Sequence, residues 1–263
     1  RGLRPFFYAW QDLKAPRLLA RNARFRQHHA GERVFLLGTG ASLRDVDVER
    51  LRGERLFGTG HLHSPELDIA VTSGRHGLAH HEHWPRQLRL DYYAAVDPVW
   101  EGSATDAELR FFIDYWRAAA RVFTDPATCF FANGIDVDFF TRHQFVAEDR
   151  LYFAKSAGPT LDARRLRHDL TRRMHFMEGS VFFMMAAALD MGFREIYLCG
   201  CDYTFQPRRS GHYYEDFELC DDQPVDAKHA AMARHAAAHG ARILNVVPAG
   251  FTSPVYEAVS WDT

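Results

Sequence analysis

The run Val34-Phe35-Leu36-Leu37-Gly38-Thr39-Gly40-Ala41-Ser42-Leu43 sets four apolar residues directly before a Gly-Thr-Gly turn and a serine. An unbroken apolar tetrad with β-branched and aromatic members reads as a strand buried on both faces, as parallel strands are. The glycines then read as a tight turn, and Ser42 as the N-cap of a following helix. In a doubly wound α/β domain this first turn is where a nucleotide is held. Glycine lets the backbone approach the ligand, and free helix N–H groups favour an anion. Gly38-Thr39-Gly40 lacks the third glycine of the dinucleotide fingerprint, and no phosphate-loop lysine follows, so a plain structural turn stands beside the nucleotide reading.

Working outward, strands are expected at residues 55–57, 92–96, 121–123, 128–131, 151–153, 195–199 and 242–246. Helices are expected over about 16–28, 105–119, 179–191 and 225–239, with Gly240 as a stop signal. The basic stretch Asp162–Arg173 reads as a helix or a lid. Alternating strands and helices predict an α/β fold, Rossmann-like and doubly wound, with a mostly parallel sheet and helices on both faces. Residues 1–30 read as an N-terminal arm rich in arginine and aromatics, and residues 31–263 as one nucleotide-binding catalytic domain. Segments 61–90 and 200–224 are loop or lid insertions of that domain. Phe6, Phe7 and Trp10 make the arm either a packed element or a contact for a membrane surface or a second subunit.

Of the 263 residues, 47% are hydrophobic, enough for a sizeable core, and a net charge of −2 argues against a mainly electrostatic nucleic-acid binder. No apolar run reaches the about 20 residues that span a bilayer. No signal-peptide pattern opens the chain, and a start at Arg1 is expected of an excised piece. The four cysteines follow no disulfide-framework spacing, which suits a reducing cytoplasm.

Ligands of open α/β sheets sit outside the carboxyl ends of the strands. The residues there are Gly38, Thr39, Gly40 and Ser42, then Gly60 and His61, then Asp97, then Asp202, Tyr203 and Thr204, with Glu178, Gly179 and Ser180 opening the apolar helix. Small hydroxyls and backbone groups suit phosphates, Tyr203 a base, and Asp97 or Asp202 a ribose or Mg²⁺. Asp202 reads equally as a turn-capping aspartate. His212, in the loop Gly211-His212-Tyr213-Tyr214-Glu215, is a candidate general base. Arg208 and Arg209 are candidate phosphate or carboxylate partners. His76, His80, His81 and His83 look like a metal tract but are expected to be chance enrichment. Cys199, Cys201 and Cys220 are expected to be core side chains rather than a zinc site, and no metal site is assigned.

The segments VFLLGTGASLRDVDVERL (34–51), YYAAVDP (92–98), EGSVFFMMAAALDMGFREIYLCGCDYTF (178–205) and RILNV (242–246) resemble two related groups. One is the bacterial sialyltransferase family that uses CMP-sialic acid. The other is the 6-hydroxymethylpterin diphosphokinase-like (MptE-like) family of surface-polysaccharide gene clusters. The resemblance covers about residues 31–250 and is most specific over 192–202. It implies that Gly38, Thr39, Gly40, Ser42, Gly60, Asp97, Ser180, Asp202, Tyr203 and Thr204 line a nucleotide site. The sequence departs at Thr39 and Gly60, where asparagines are usual, and at Ala41, usually proline. The sialyltransferases' catalytic histidine falls on Cys220-Asp221-Asp222-Gln223, so His212, Asp221 or Asp222 would replace it. Tyr213 and Tyr214 are assigned by loop position to the leaving phosphate.

The resemblance thus implies a cytoplasmic glycosyltransferase of surface-polysaccharide assembly, in solution or peripheral to the inner membrane. It would move a sugar, an acidic one among the options, from a CMP-activated donor to a glycan acceptor with no cofactor required. One alternative is a pterin-type pyrophosphokinase using ATP and Mg²⁺, with Asp97 and Asp202 on the metal. Another is a non-catalytic nucleotide-binding scaffold.

Overall fold

The computed structural model describes residues 15–63, 89–99, 104–158, 160–175, 179–213, 218–220 and 225–260. Among the described residues, nine strands form one sheet in the order β11-β10-β7-β1-β2-β3-β4-β5-β6. They are β1 (Arg33–Leu37), β2 (Leu56–Thr59), β3 (Tyr92–Ala95), β4 (Cys129–Asn133), β5 (Leu151–Ser156), β6 (Arg173–Met174), β7 (Glu195–Cys199), β10 (Arg242–Val246) and β11 (Glu257–Val259). Every pairing in this sheet is parallel. A separate two-stranded antiparallel ribbon joins β8 (Arg208–Arg209) to β9 (Leu219–Cys220). The α/β, doubly wound, Rossmann-like expectation holds.

The strands divide their side chains between two cores with the period of two that a pleated strand imposes. Val34, Leu36, Tyr92, Ala94, Phe131, Tyr152, Ile196 and Leu198 enter one core. Phe35, Leu37, Tyr93, Phe130, Ala132, Leu151, Phe153 and Cys199 enter the other. The helices α3 (Ser180–Met191) and α4 (Ala227–Ala238) pack on the first face, with Phe25 of the short 3-10 helix Arg21–Phe25. Phe25 sits edge-on to Tyr152 with ring centroids 4.6 Å apart. The second face is covered by α1 (Asp106–Val122) and α2 (Val137–His143), through Trp116, Phe139 and Phe140.

Local chemistry sets the helix ends. Thr105 and Glu108 form a reciprocal capping box at the start of α1. Gly192, at φ +92°, ends α3 in the left-handed conformation that glycine adopts without strain. Helix α3 is buried from Val181 to Met191, so its sequence is apolar all round rather than striped.

Several local expectations are corrected. No α-helix follows the first glycine turn, only the 3-10 helices Ala41–Asp45 and Val48–Leu51. Ser42 is not an N-cap: Gly40 holds that position, without a side-chain bond. Residues 121–122 belong to α1 rather than to a strand. Residues 160–172 form turns and extended chain, because Asp162 and Asp169 turn the backbone locally, their carboxylates accepting from Arg164 N at 3.0 Å and Thr171 N at 2.9 Å. The N-terminal α-helix gives way to 3-10 geometry at Arg21, and Gln27 takes φ +54°. Helix α2, the short strands β6 and β11, and the ribbon were not expected. Phe6, Phe7, Trp10 and the His76–His83 stretch lie outside the described residues.

Candidate functional site

The strand order reverses between β1 and β7: the chain runs outward from β1 through β6, then returns to the other side of β1. The turns after β1 and β7 therefore flank the switch point where such sheets bind ligands. Here the two turns close on each other. Gly38 N donates to Cys199 O, and Gly40 N to Gly200 O, both at 2.8 Å. A Cβ on Gly40 would lie 2.7 Å from Gly200 O and would overlap the Asp202 carboxylate. Gly40 has φ −65°, so glycine is required there by proximity and not by conformation.

Asp202 fills the turn. It is 3% exposed. Its carboxylate accepts from Ser42 N at 2.9 Å and from the Ser42 hydroxyl. Burial pushes its pKa up to about 6, against the pull of the two Ser42 bonds and of Arg209, with Asp45 adding repulsion. The anion that the first turn was expected to attract is thus supplied by the protein itself.

The next opening lies beside it, over the ends of β1, β2 and β3. Gly60, at φ +61°, lies against Thr39, whose methyl would be 3.1 Å from a Cβ on Gly60. Gly60 O accepts from Tyr93 Oη at 2.7 Å and Tyr115 Oη at 3.0 Å. His212 makes an isolated antiparallel bridge to Gly40, and the next residue's N–H donates to Thr39 O at 2.9 Å. The loop therefore lays His212 across the first turn. His61 is close enough for the two rings to repel when charged. Burial first, and His212 second, bring the His61 pKa down to about 4.

The remaining predicted residues divide. Ser180 opens α3, and its hydroxyl accepts from Val96 N at 3.4 Å, which places it at the end of β3 next to exposed Asp97. Tyr203 is 38% exposed, with Arg208 donating to its carbonyl at 3.2 Å. Thr204 is buried: its hydroxyl donates to Cys201 O at 2.6 Å and accepts from Asn245 Nδ2 at 2.9 Å. Tyr213 is 2% exposed, and its hydroxyl points at the carbonyls of His61 and Leu62, 3.3 Å from each. The phenol is engaged in holding the loop over β2. Tyr214, Asp221 and Glu178 lie outside the described residues.

Arg209 is 11% exposed, paired with Asp45 at 2.5 Å and stacked 4.8 Å from the Phe251 ring centre, whereas Arg208 stands next to Tyr203. Cys199 and Cys201 are core side chains, and burial pushes both thiols up, Cys201 to about 12.

Sequence reading missed the aromatic wall behind Gly60. Tyr93, Tyr115 and His63 meet there, with Tyr93 and Tyr115 hydroxyls 2.6 Å apart and His63 Nδ1 3.4 Å from Tyr93 Oη. The signal was Tyr93 itself, a tyrosine within the expected strand 92–96, whose buried polar atom needs a partner. A cavity of about 390 Å³ lies at the opposite, amino-terminal edge, lined by Arg24, Arg55, Arg89, Arg150 and Asp91 among others.

No protein-family model matches the chain, and no curated protein matches it. Among solved structures it is similar to the sialyltransferase CstII from Campylobacter jejuni, in complex with a substrate analogue, cytidine-5'-monophosphate. The TM-score is 0.49 at 13% identity, covering 88% of this chain and 86% of that chain.

Proposed function

We propose that the chain is a glycosyltransferase that moves a sugar from a CMP-activated donor to a hydroxyl of a glycan acceptor. The observation that carries this reading is the bridge between His212 and Gly40, which lays the backbone of His212 along the first strand-end turn, with its side chain near His61. In the reaction His212 takes the proton of the acceptor hydroxyl as that oxygen bonds to the anomeric carbon. The bond from that carbon to the phosphate breaks, and CMP leaves with the electron pair. Arg208 and the N-terminal turn of α3 at Ser180 supply positive potential for the leaving phosphate. The exposed face of Tyr203 offers a surface for the pyrimidine. Because burial keeps His61 neutral, it does not oppose protonation of His212 during the step.

The pterin-type kinase needs two carboxylates for Mg²⁺, and the pair Asp97 and Asp202 does not fit. Both Asp202 oxygens face Ser42, and the group is buried.

The test pairs binding with turnover. CMP in EDTA should raise the melting temperature, by mass action equivalent to about 2.7 kcal/mol at a hundredfold excess over Kd. CMP release from CMP-activated acidic sugars should fall by roughly 10²–10⁴ in His212→Ala, with CMP binding retained. Stabilisation by ATP with Mg²⁺ alone, or unchanged turnover in the variant, overturns the reading.

A further inference from the structure

Three histidines that the candidate site does not use converge at the other end of α4. His235 lies in its last turn and His239 is its C-cap, one helical turn further on, so both project from one face. His168 reaches them from the segment between β5 and β6. The ring centres are 5.0 Å apart for His168–His235, 4.6 Å for His168–His239 and 4.4 Å for His235–His239. One ring nitrogen from each lies within 4.8 Å of the others.

The hydrogen bonds fix which nitrogens are available. His235 Nδ1 is 3.0 Å from Ala163 O, and His239 Nδ1 is 2.8 Å from His235 O. A carbonyl only accepts, so each Nδ1 carries the proton and each Nε2 keeps its lone pair. This is the outer-shell arrangement that orients metal-ligating imidazoles. His168 Nδ1 lies 2.8 Å from His235 Nε2, where it donates.

We propose that His168, His235 and His239 form a three-imidazole site for a divalent transition-metal ion, zinc first, which clips residues 160–175 to the C-terminal end of α4. At Zn–N distances of 2.0–2.1 Å, tetrahedral ligand nitrogens stand about 3.3 Å apart. The His168–His235 pair therefore opens by roughly half an ångström and the wider pairs close in. The ion replaces one N–H···N bond. The His168 proton moves from Nδ1 to Nε2, and no proton is lost from the set. The exposed side of His239 leaves the fourth position to water.

Burial also lowers the pKa of His168 and His235, which favours the neutral, coordinating form of these two rings. The chain leaving α4 passes Gly240 and enters β10 at its first residue, so the site lies at the amino-terminal edge of the sheet, across from the candidate site. A clip there links residues 67 positions apart and secures a segment that has no helix of its own to hold it.

The experiment titrates chelator-treated protein with Zn²⁺ against a chromogenic chelator, for the parent chain, His239→Ala and His168→Asn. One equivalent should bind to the parent, and each variant should weaken it at least tenfold. Zinc should raise the parent's melting temperature and leave the variants' nearly unmoved. X-ray absorption of the zinc-loaded parent should show a shell of three imidazoles, a readout that stands even if a variant fails to fold. Equal affinity in parent and folded variants, a sulfur-rich shell, or no stoichiometric binding overturns the proposal.

Discussion

Replacing Asp202 with asparagine should remove a pH dependence of stability that the turn between β1 and β7 builds in. Two effects compete at this carboxyl. The Ser42 N–H and hydroxyl favour the charged form, and burial at 3% exposure disfavours it. Burial wins, lifting the pKa from 3.8 to about 6. The folded state thus holds the proton more tightly than the unfolded chain. The stability this gives is fully present below pH 3.8 and is lost as the pH rises through about 6. At 1.36 kcal/mol per pH unit, that gap corresponds to about 3 kcal/mol.

In Asp202→Asn the side chain is neutral throughout, and its amide oxygen still accepts from Ser42 N. The difference in unfolding free energy, variant minus parent, should therefore climb by about 2.5 kcal/mol between about pH 4 and pH 7.5. Urea titrations followed by tryptophan fluorescence would measure it, and taking the difference cancels every other titrating group. Asp202→Ala is the control: it strands two buried donors and should lie about 1–3 kcal/mol per donor below Asp202→Asn at every pH. A flat difference for Asp202→Asn, or one that falls as the pH rises, would mean that the Ser42 bonds match or outweigh desolvation, and the reasoning fails.

Gly40→Ala should cost about 1–3 kcal/mol, because the new methyl meets Gly200 O, which is backbone and cannot turn aside. An unchanged melting temperature would show that the turns are not in contact. The buried imidazoles act with the opposite sign to Asp202. His63, held to about 3 by burial, contributes stability that is present above its ordinary 6.5 and is lost as the pH falls toward the folded value. His63→Phe should gain on the parent by about 2 kcal/mol between about pH 6.5 and pH 4.5. A constant offset in matched urea titrations would place the proton elsewhere.

The sheet was legible because burial on both faces leaves a mark in sequence. Val34–Leu37 and Glu195–Cys199 are apolar runs of strand length ending in glycine, and both lie where they were expected. The apolar character of residues 179–191 likewise gave α3. The segment after Gly40 was misread because Ser42 looks like a cap. Its real partner, Asp202, is 160 residues away, and no local pattern encodes that bond. Helix α2 escaped notice because seven residues with three phenylalanine or valine side chains facing inward are too few for a period to emerge. His168, His235 and His239 were invisible as a group for the same reason: only the last two share a helix, and the third arrives through tertiary packing.

The filled switch point constrains how a CMP-linked donor can lie in the proposed reaction. Ser42 N–H is the donor that a phosphate would seek at the first turn, and Asp202 already occupies it. A phosphate entering there would face a carboxylate that is mostly ionised at neutral pH, in surroundings where like charges repel strongly. The uncharged parts of the donor suit the Thr39–Gly60 side. The phosphate suits the side where Arg208 and the first turn of α3 supply positive potential. In the proposed reaction that orientation would bring the scissile bond toward the loop that carries His212. The carboxylate that closes the usual anion site would then also determine which end of the donor meets the base.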